Sequence, residues 1–64
     1  MDEKRIKDLK QGDLFCLKYY DNPTENQIYV RGYYERFSKK YECYKYSDIN
    51  AERFFDGNKT VYVL

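Results

Sequence analysis

The sequence predicts an all-β domain of four to five short strands with one short helical or 3-10 turn. The strands either close into a small barrel or form a strongly twisted antiparallel sheet. Three observations predict this. Apolar and polar residues alternate along several short runs, the period that places successive side chains on opposite faces of a strand. Clusters of Gly, Asp, Asn and Pro punctuate these runs. Nine tyrosines and four phenylalanines make 20% of the chain aromatic, and aromatic side chains favour half-buried pleated surfaces.

Taken in order, residues 1–13 are polar, with Ile6 and Leu9 as the only apolar anchors. They read as an N-terminal arm, or one helical turn, packed on a β-domain of residues 14–64. Gln11-Gly12-Asp13 is a turn signal. Residues 14–20 read as the first strand, with Phe15, Leu17 and Tyr19 on one face. Asp21 to Asn26, with Pro23 among Asp, Asn and Thr, is a loop. In the second strand, 27–34, Ile28, Val30, Gly32 and Tyr34 are expected to point inward and Tyr29, Arg31 and Tyr33 outward. Gly32 inside that run signals a bulge or sharp bend. Residues 36–40 form a loop, and 41–46 the third strand. Residues 47–53 break the alternation and are expected to hold the helical turn, capped by Ser47 or Asp48. Asp56-Gly57-Asn58 is a hairpin signal, and β-branched residues 60–64 form the closing strand, a partner for the first. The expected core is Phe15, Leu17, Ile28, Val30, Cys43, Ile49, Val61 and Val63, with one of Phe54 or Phe55.

A chain of 64 residues makes one domain and buries only roughly 60% of its unfolded surface. A large substrate cavity does not fit beside such a core, so any site is a face, a shallow groove or an interface between copies. The chain opens on Met and reads as complete. Its charged N-terminus lacks the apolar run of a secretory signal, and no stretch approaches the ~20 apolar residues of a membrane span. A cytoplasmic location is the expectation. Cys16 and Cys43 lie within apolar strand runs, and there is no histidine. Two thiolates do not complete a zinc site, and both cysteines are expected to be buried, reduced and unreactive.

The string Gly12-Asp13-Leu14-Phe15, Val30-Arg31-Gly32-Tyr33-Tyr34, Lys40-Tyr41-Glu42-Cys43-Tyr44 and Asp48-Ile49-Asn50 resembles a group of short bacterial proteins with no assigned activity. It spans about residues 12–50. The succession of strand, long loop, strand, short loop, strand, 3-10 turn and strand resembles the SH3-like small barrels. That resemblance implies a binding or assembly module, since such barrels include peptide binders, nucleic-acid binders and assembly subunits. The absence of tryptophan argues against the proline-rich peptide binders among them.

Net charge is +1, not the strongly basic balance of most nucleic-acid binders. Within 27–46, however, Arg31, Arg36, Lys39, Lys40 and Lys45 stand against Glu35 and Glu42 only. The expected partner-binding face therefore combines Tyr29, Arg31 and Tyr33 at i, i+2, i+4 with Tyr44 and Lys45 of the next strand and Arg36 and Lys40 of the loop. Tyrosine and arginine are enriched at protein interfaces. The same set could stack on bases at roughly 1–3 kcal/mol each and track phosphates, or simply stabilise the sheet through cross-strand pairs. No catalytic residue is identified: Ser and Thr have no histidine to activate them, the glycines are scattered singly, and Asp48, Glu52 and Asp56 read as solvated acids. No cofactor or metal is expected. The leading expectation is a non-enzymatic module that binds another protein or itself; the alternative is a weak nucleic-acid-binding accessory or regulatory protein.

Overall fold

In the computed structural model, which describes residues 1–64, six strands form one antiparallel sheet. They are Asp2–Arg5 (β1), Leu14–Cys16 (β2), Tyr29–Glu35 (β3), Lys40–Lys45 (β4), Asp48–Asp56 (β5) and Thr60–Val63 (β6). Two 3-10 turns, Ile6–Asp8 and Glu25–Gln27, are the only helical elements. Strands β2 to β5 form a meander. β6 then returns to β2, with Phe15 opposite Val63 and Cys16 opposite Tyr62. β1 adds to the other side of β6, giving the order β1-β6-β2-β3-β4-β5. The sheet has two edges, β1 and β5, and does not close into a barrel.

The register sorts the side chains. Phe15, Tyr29, Cys43, Phe55 and Val61 share the inner face and are covered by Ile6 and Leu9 from the first 3-10 turn. Backbone bonds from Ile6 N–H to Lys59 O (3.1 Å) and from Lys7 N–H to Gly57 O (3.0 Å) clamp that turn to the β5–β6 connection. Ile6, Phe15, Cys16, Cys43 and Val61 are wholly buried. A fully buried aliphatic or aromatic side chain contributes about 2 kcal/mol, so the polar N-terminal segment is part of the core assembly through one isoleucine and one leucine.

Several expectations are corrected. Residues 2–5 are a sheet strand, not an irregular arm. β2 stops at Cys16, because residues 17–20 leave the ladder before the Pro23 loop. Residues 48–56 are one strand with no helical turn; a two-residue turn at Tyr46-Ser47 joins it to β4, with Lys45 opposite Asp48. The register then jumps, Tyr44 facing Glu52, so residues 49–51 bulge outward. Ile49 is consequently 70% exposed rather than core, and Phe55, not Phe54, fills the interior. Asp56-Gly57-Asn58 does make a turn, with Asn58 N–H bonded to Asp56 Oδ1 at 2.8 Å. It is not a hairpin: β5 pairs with β4, while β6 pairs with β1 and β2.

Candidate functional site

The bulge at Gly32 determines where the candidate residues go. Arg31 faces Cys43 and Tyr34 faces Tyr41, so Gly32 and Tyr33 together oppose the single residue Glu42. An extra residue in one strand reverses the facing of everything beyond it. The i, i+2, i+4 reading of Tyr29, Arg31 and Tyr33 as one outward face is therefore corrected. Tyr29 is only 7% exposed. Its ring stacks on Phe15 (centroids 5.9 Å) and meets Phe55 edge-on at 6.2 Å. Arg31 lies on the inner side, its guanidinium 4.4 Å above the Tyr41 ring, with one Nη donating to Gly32 O at 2.8 Å. Lys45 pairs with Tyr29 and shares that side. Tyr34, expected inward, does lie on that side, opposite Tyr41 and packed against its ring at 4.8 Å, but is 44% exposed.

Tyr33, Lys40 and Tyr44 occupy the other, outer face, together with Glu42, Glu52 and Phe54. Arg36 stands apart, exposed in the β3–β4 turn. The expected surface is thus split in two by one glycine, and its charge balance changes: Glu52, Glu42 and Glu35 act on Tyr33, and of the expected cations only Lys40 shares its face. Partial burial, then these three carboxylates, push the Tyr33 hydroxyl above its usual pKa.

Glu42 is the residue that sequence reasoning missed. It is 7% exposed, the only buried charged side chain. Its carboxyl rests on Gly32, in the space that a Cβ would take. Burial raises its pKa first, and a side-chain hydrogen bond with Glu52 and the Glu52 charge raise it further; the Tyr33 backbone N–H, which donates to it, acts in the opposite sense. With the Glu52 charge close by, the ionised form of the buried Glu42 carboxyl is disfavoured. The only signal in the sequence was Gly32 itself, which the alternation marked as a bend without saying what filled the vacancy.

The sign of the linkage is definite. Folded Glu42 holds its proton more tightly than unfolded Glu42, so its contribution to stability is fully present below the usual carboxyl pKa. It falls as pH rises from that range through the raised folded value. Glu42→Gln, which keeps an acceptor for Tyr33 N–H and a donor for Glu52, is expected to remove this slope. It should stabilise the protein at neutral pH by about 1 kcal/mol. Urea midpoints measured across pH check this; an unchanged slope in the variant would show that Glu42 is not the titrating group.

Above this pair, Tyr33 and Phe54 form an edge-to-face couple with centroids 6.4 Å apart, 48% and 40% exposed. The outer face therefore presents two aromatic rings beside the exposed Glu52 carboxyl, with Glu42 buried next to it. Nearby, Phe37 is 98% exposed at the tip of the β3–β4 hairpin, next to a depression of ≈ 380 Å³ that it lines with Arg36. The other depression, ≈ 370 Å³, is lined by Glu3, Lys4, Arg5, Asp8 and Thr60 and has no apolar wall.

Cys16 and Cys43 are both buried and unpaired. Burial raises the Cys16 thiol and pushes Cys43 up to about 11, which keeps both out of the nucleophilic thiolate form near neutral pH. No three His, Cys, Asp or Glu side chains group as metal ligands, and no helix is long and apolar enough to cross a membrane. Compared with known proteins, the chain matches no family, no curated protein and no solved structure.

Proposed function

We propose that this chain is a non-enzymatic protein-interaction module whose outer face receives a cationic side chain of its partner. The observation that carries the reading is the Tyr33–Phe54 couple standing over the Glu42–Glu52 carboxyls. Aromatic faces attract a Lys or Arg head group through the ring quadrupole, by about 0.5–2 kcal/mol. A carboxylate at the same place adds a charge-assisted hydrogen bond. A phosphate-bearing partner meets repulsion on this face, which sets the protein reading ahead of nucleic acid. A cytoplasmic setting goes with it, since two free buried thiols suit a reducing compartment. The five strands β6-β2-β3-β4-β5, with the last strand returning beside the first, support an opened SH3-like barrel as the scaffold.

Titration of the labelled protein with a short Arg/Lys peptide, an acidic peptide and a single-stranded oligonucleotide tests the reading. The cationic peptide is expected to shift the resonances of Tyr33, Glu52 and Phe54, and Glu52→Gln to weaken it on the order of tenfold. Binding of the oligonucleotide at Tyr33, with no response to the cationic peptide, would refute it.

A further inference from the structure

Next to the acidic aromatic face, which β3 and β5 share, the β3–β4 hairpin carries a basic aromatic tip. Residues 36–39 turn between β3 and β4, and Arg36, Phe37 and Lys39 are all exposed, with Lys40 following at the start of β4. Of the two acids beside them, Glu35 is engaged within the turn, its carboxylate accepting Phe37 N–H at 2.9 Å, and Asp56, opposite Lys40 on β5, accepts Asn58 N–H at 2.8 Å. Lys39 adopts φ 56°, the left-handed region where a side chain costs roughly 1–2 kcal/mol and glycine costs nothing. Phe37 is almost entirely in water; burying such a ring in a partner gains about 2 kcal/mol.

We infer that the partner of the outer face is a second copy of this chain, its hairpin tip laid across Tyr33 and Phe54 with Arg36 and Lys39 against Glu52. The inference rests on the reading of that face as a receptor for cations and names its occupant. Charge complementarity carries it. The tip presents Arg36, Lys39 and Lys40, and the face presents Glu52 on the neighbouring strand β5. Because tip and face belong to one chain, the contact is self-complementary. Each tip reaches the other copy's face, every contact is made twice, and a two-fold closes the pair without leaving an open chain of copies.

Light scattering across a concentration series, at low and high salt, is the first measurement. Association that weakens as salt rises is expected, since these charges sit at the surface. The decisive experiment uses charge reversal. Arg36→Glu with Lys39→Glu makes tip and face both acidic; Glu52→Lys makes both basic. Each variant alone is expected to be monomeric. Mixed, they are expected to form a one-to-one heterodimer, because each tip then meets a face of opposite sign. Phe37→Ala, which alters no charge, is expected to weaken self-association on the order of tenfold. All these positions are exposed, and unchanged thermal melts confirm that the variants fold.

A protein that stays monomeric at every concentration but still binds the cationic peptide would overturn this inference and leave the proposed function standing. A monomer that binds neither peptide nor itself would overturn both. A dimer indifferent to both charge reversals would place the contact elsewhere, at the β5 edge for instance, and overturn the inference. An oligonucleotide that binds Arg36 and Lys39 while the protein remains monomeric would also overturn it, assigning the tip to nucleic acid.

Discussion

Tyr29→Ala is expected to destabilise the protein by about 3–5 kcal/mol, the usual cost of deleting a buried aromatic ring. Tyr29 is 7% exposed and lies between Phe15 and Phe55. Its removal leaves a cavity across the middle of the inner face, where β2, β3 and β5 all contribute, and no neighbouring element can collapse into it without breaking the ladder. A single-core domain of this size holds only about 3–5 kcal/mol in total, so the variant should be largely unfolded at room temperature. Tyr29→Phe keeps the ring and should shift stability by less than about 0.5 kcal/mol. Tyr33→Ala provides the contrast. Its ring is half exposed, so folding should change little while binding of the cationic peptide is lost. Urea unfolding of the three variants distinguishes a core tyrosine from a surface one; a stable Tyr29→Ala would place that ring outside the core.

Gly32→Ala has a comparable expected cost, about 2–3 kcal/mol, for a different reason. A Cβ at Gly32 would fall on Glu42 Oε1 and lie 2.8 Å from Glu42 O and 2.9 Å from Glu42 Cδ. The carboxyl can swing away only by leaving Tyr33 N–H and Glu52. The carbonyl belongs to the β3–β4 region of the sheet and has nowhere to go. Overpacking of this kind typically costs 1–3 kcal/mol. Pairing Gly32→Ala with Glu42→Ala removes the carboxyl but not the carbonyl, so the double variant should recover only part of the loss, about 1 kcal/mol of coupling. Additive losses in the denaturation cycle would mean that Glu42 does not rest on Gly32.

The legible parts of the fold were those in which a local pattern had only one use. Phe15, Val30, Cys43 and Val61 were identified as buried from alternation alone, and Ile6 and Leu9 as the anchors of an otherwise polar segment. The pairing of the last strand with the first apolar strand followed from closing the meander. The candidate site was less legible. Arg31 was weighed as a phosphate contact and as a stacked structural residue, and its place over Tyr41 is the stacked one. Ile49 looked like core because it is apolar, but the bulge at residues 49–51 turns it outward. Glu42 entered the sequence reading only as one of two acids set against the cations of 27–46. Its burial depends on a partner ten residues away on β5 and on a missing Cβ on β3, and neither is a property of its neighbours in the chain.

Composition and alternation in the 64 residues specified an aromatic-rich antiparallel β-domain, the approximate places of β3, β4 and β6, and two inert cysteines. Those features arise from interactions local enough for the order of residues to encode: the two-residue period of a strand, the turn chemistry of Gly, Asp and Asn, and the burial preference of small apolar side chains. Which tyrosines are wet, which charges gather around them and whether the sheet closes were decided only in three dimensions. One extra residue at Gly32 reverses the facing of the remainder of β3. A pattern of period two carries no record of where the count slips, so the outer face became acidic and aromatic where the linear order of residues pointed to a basic one.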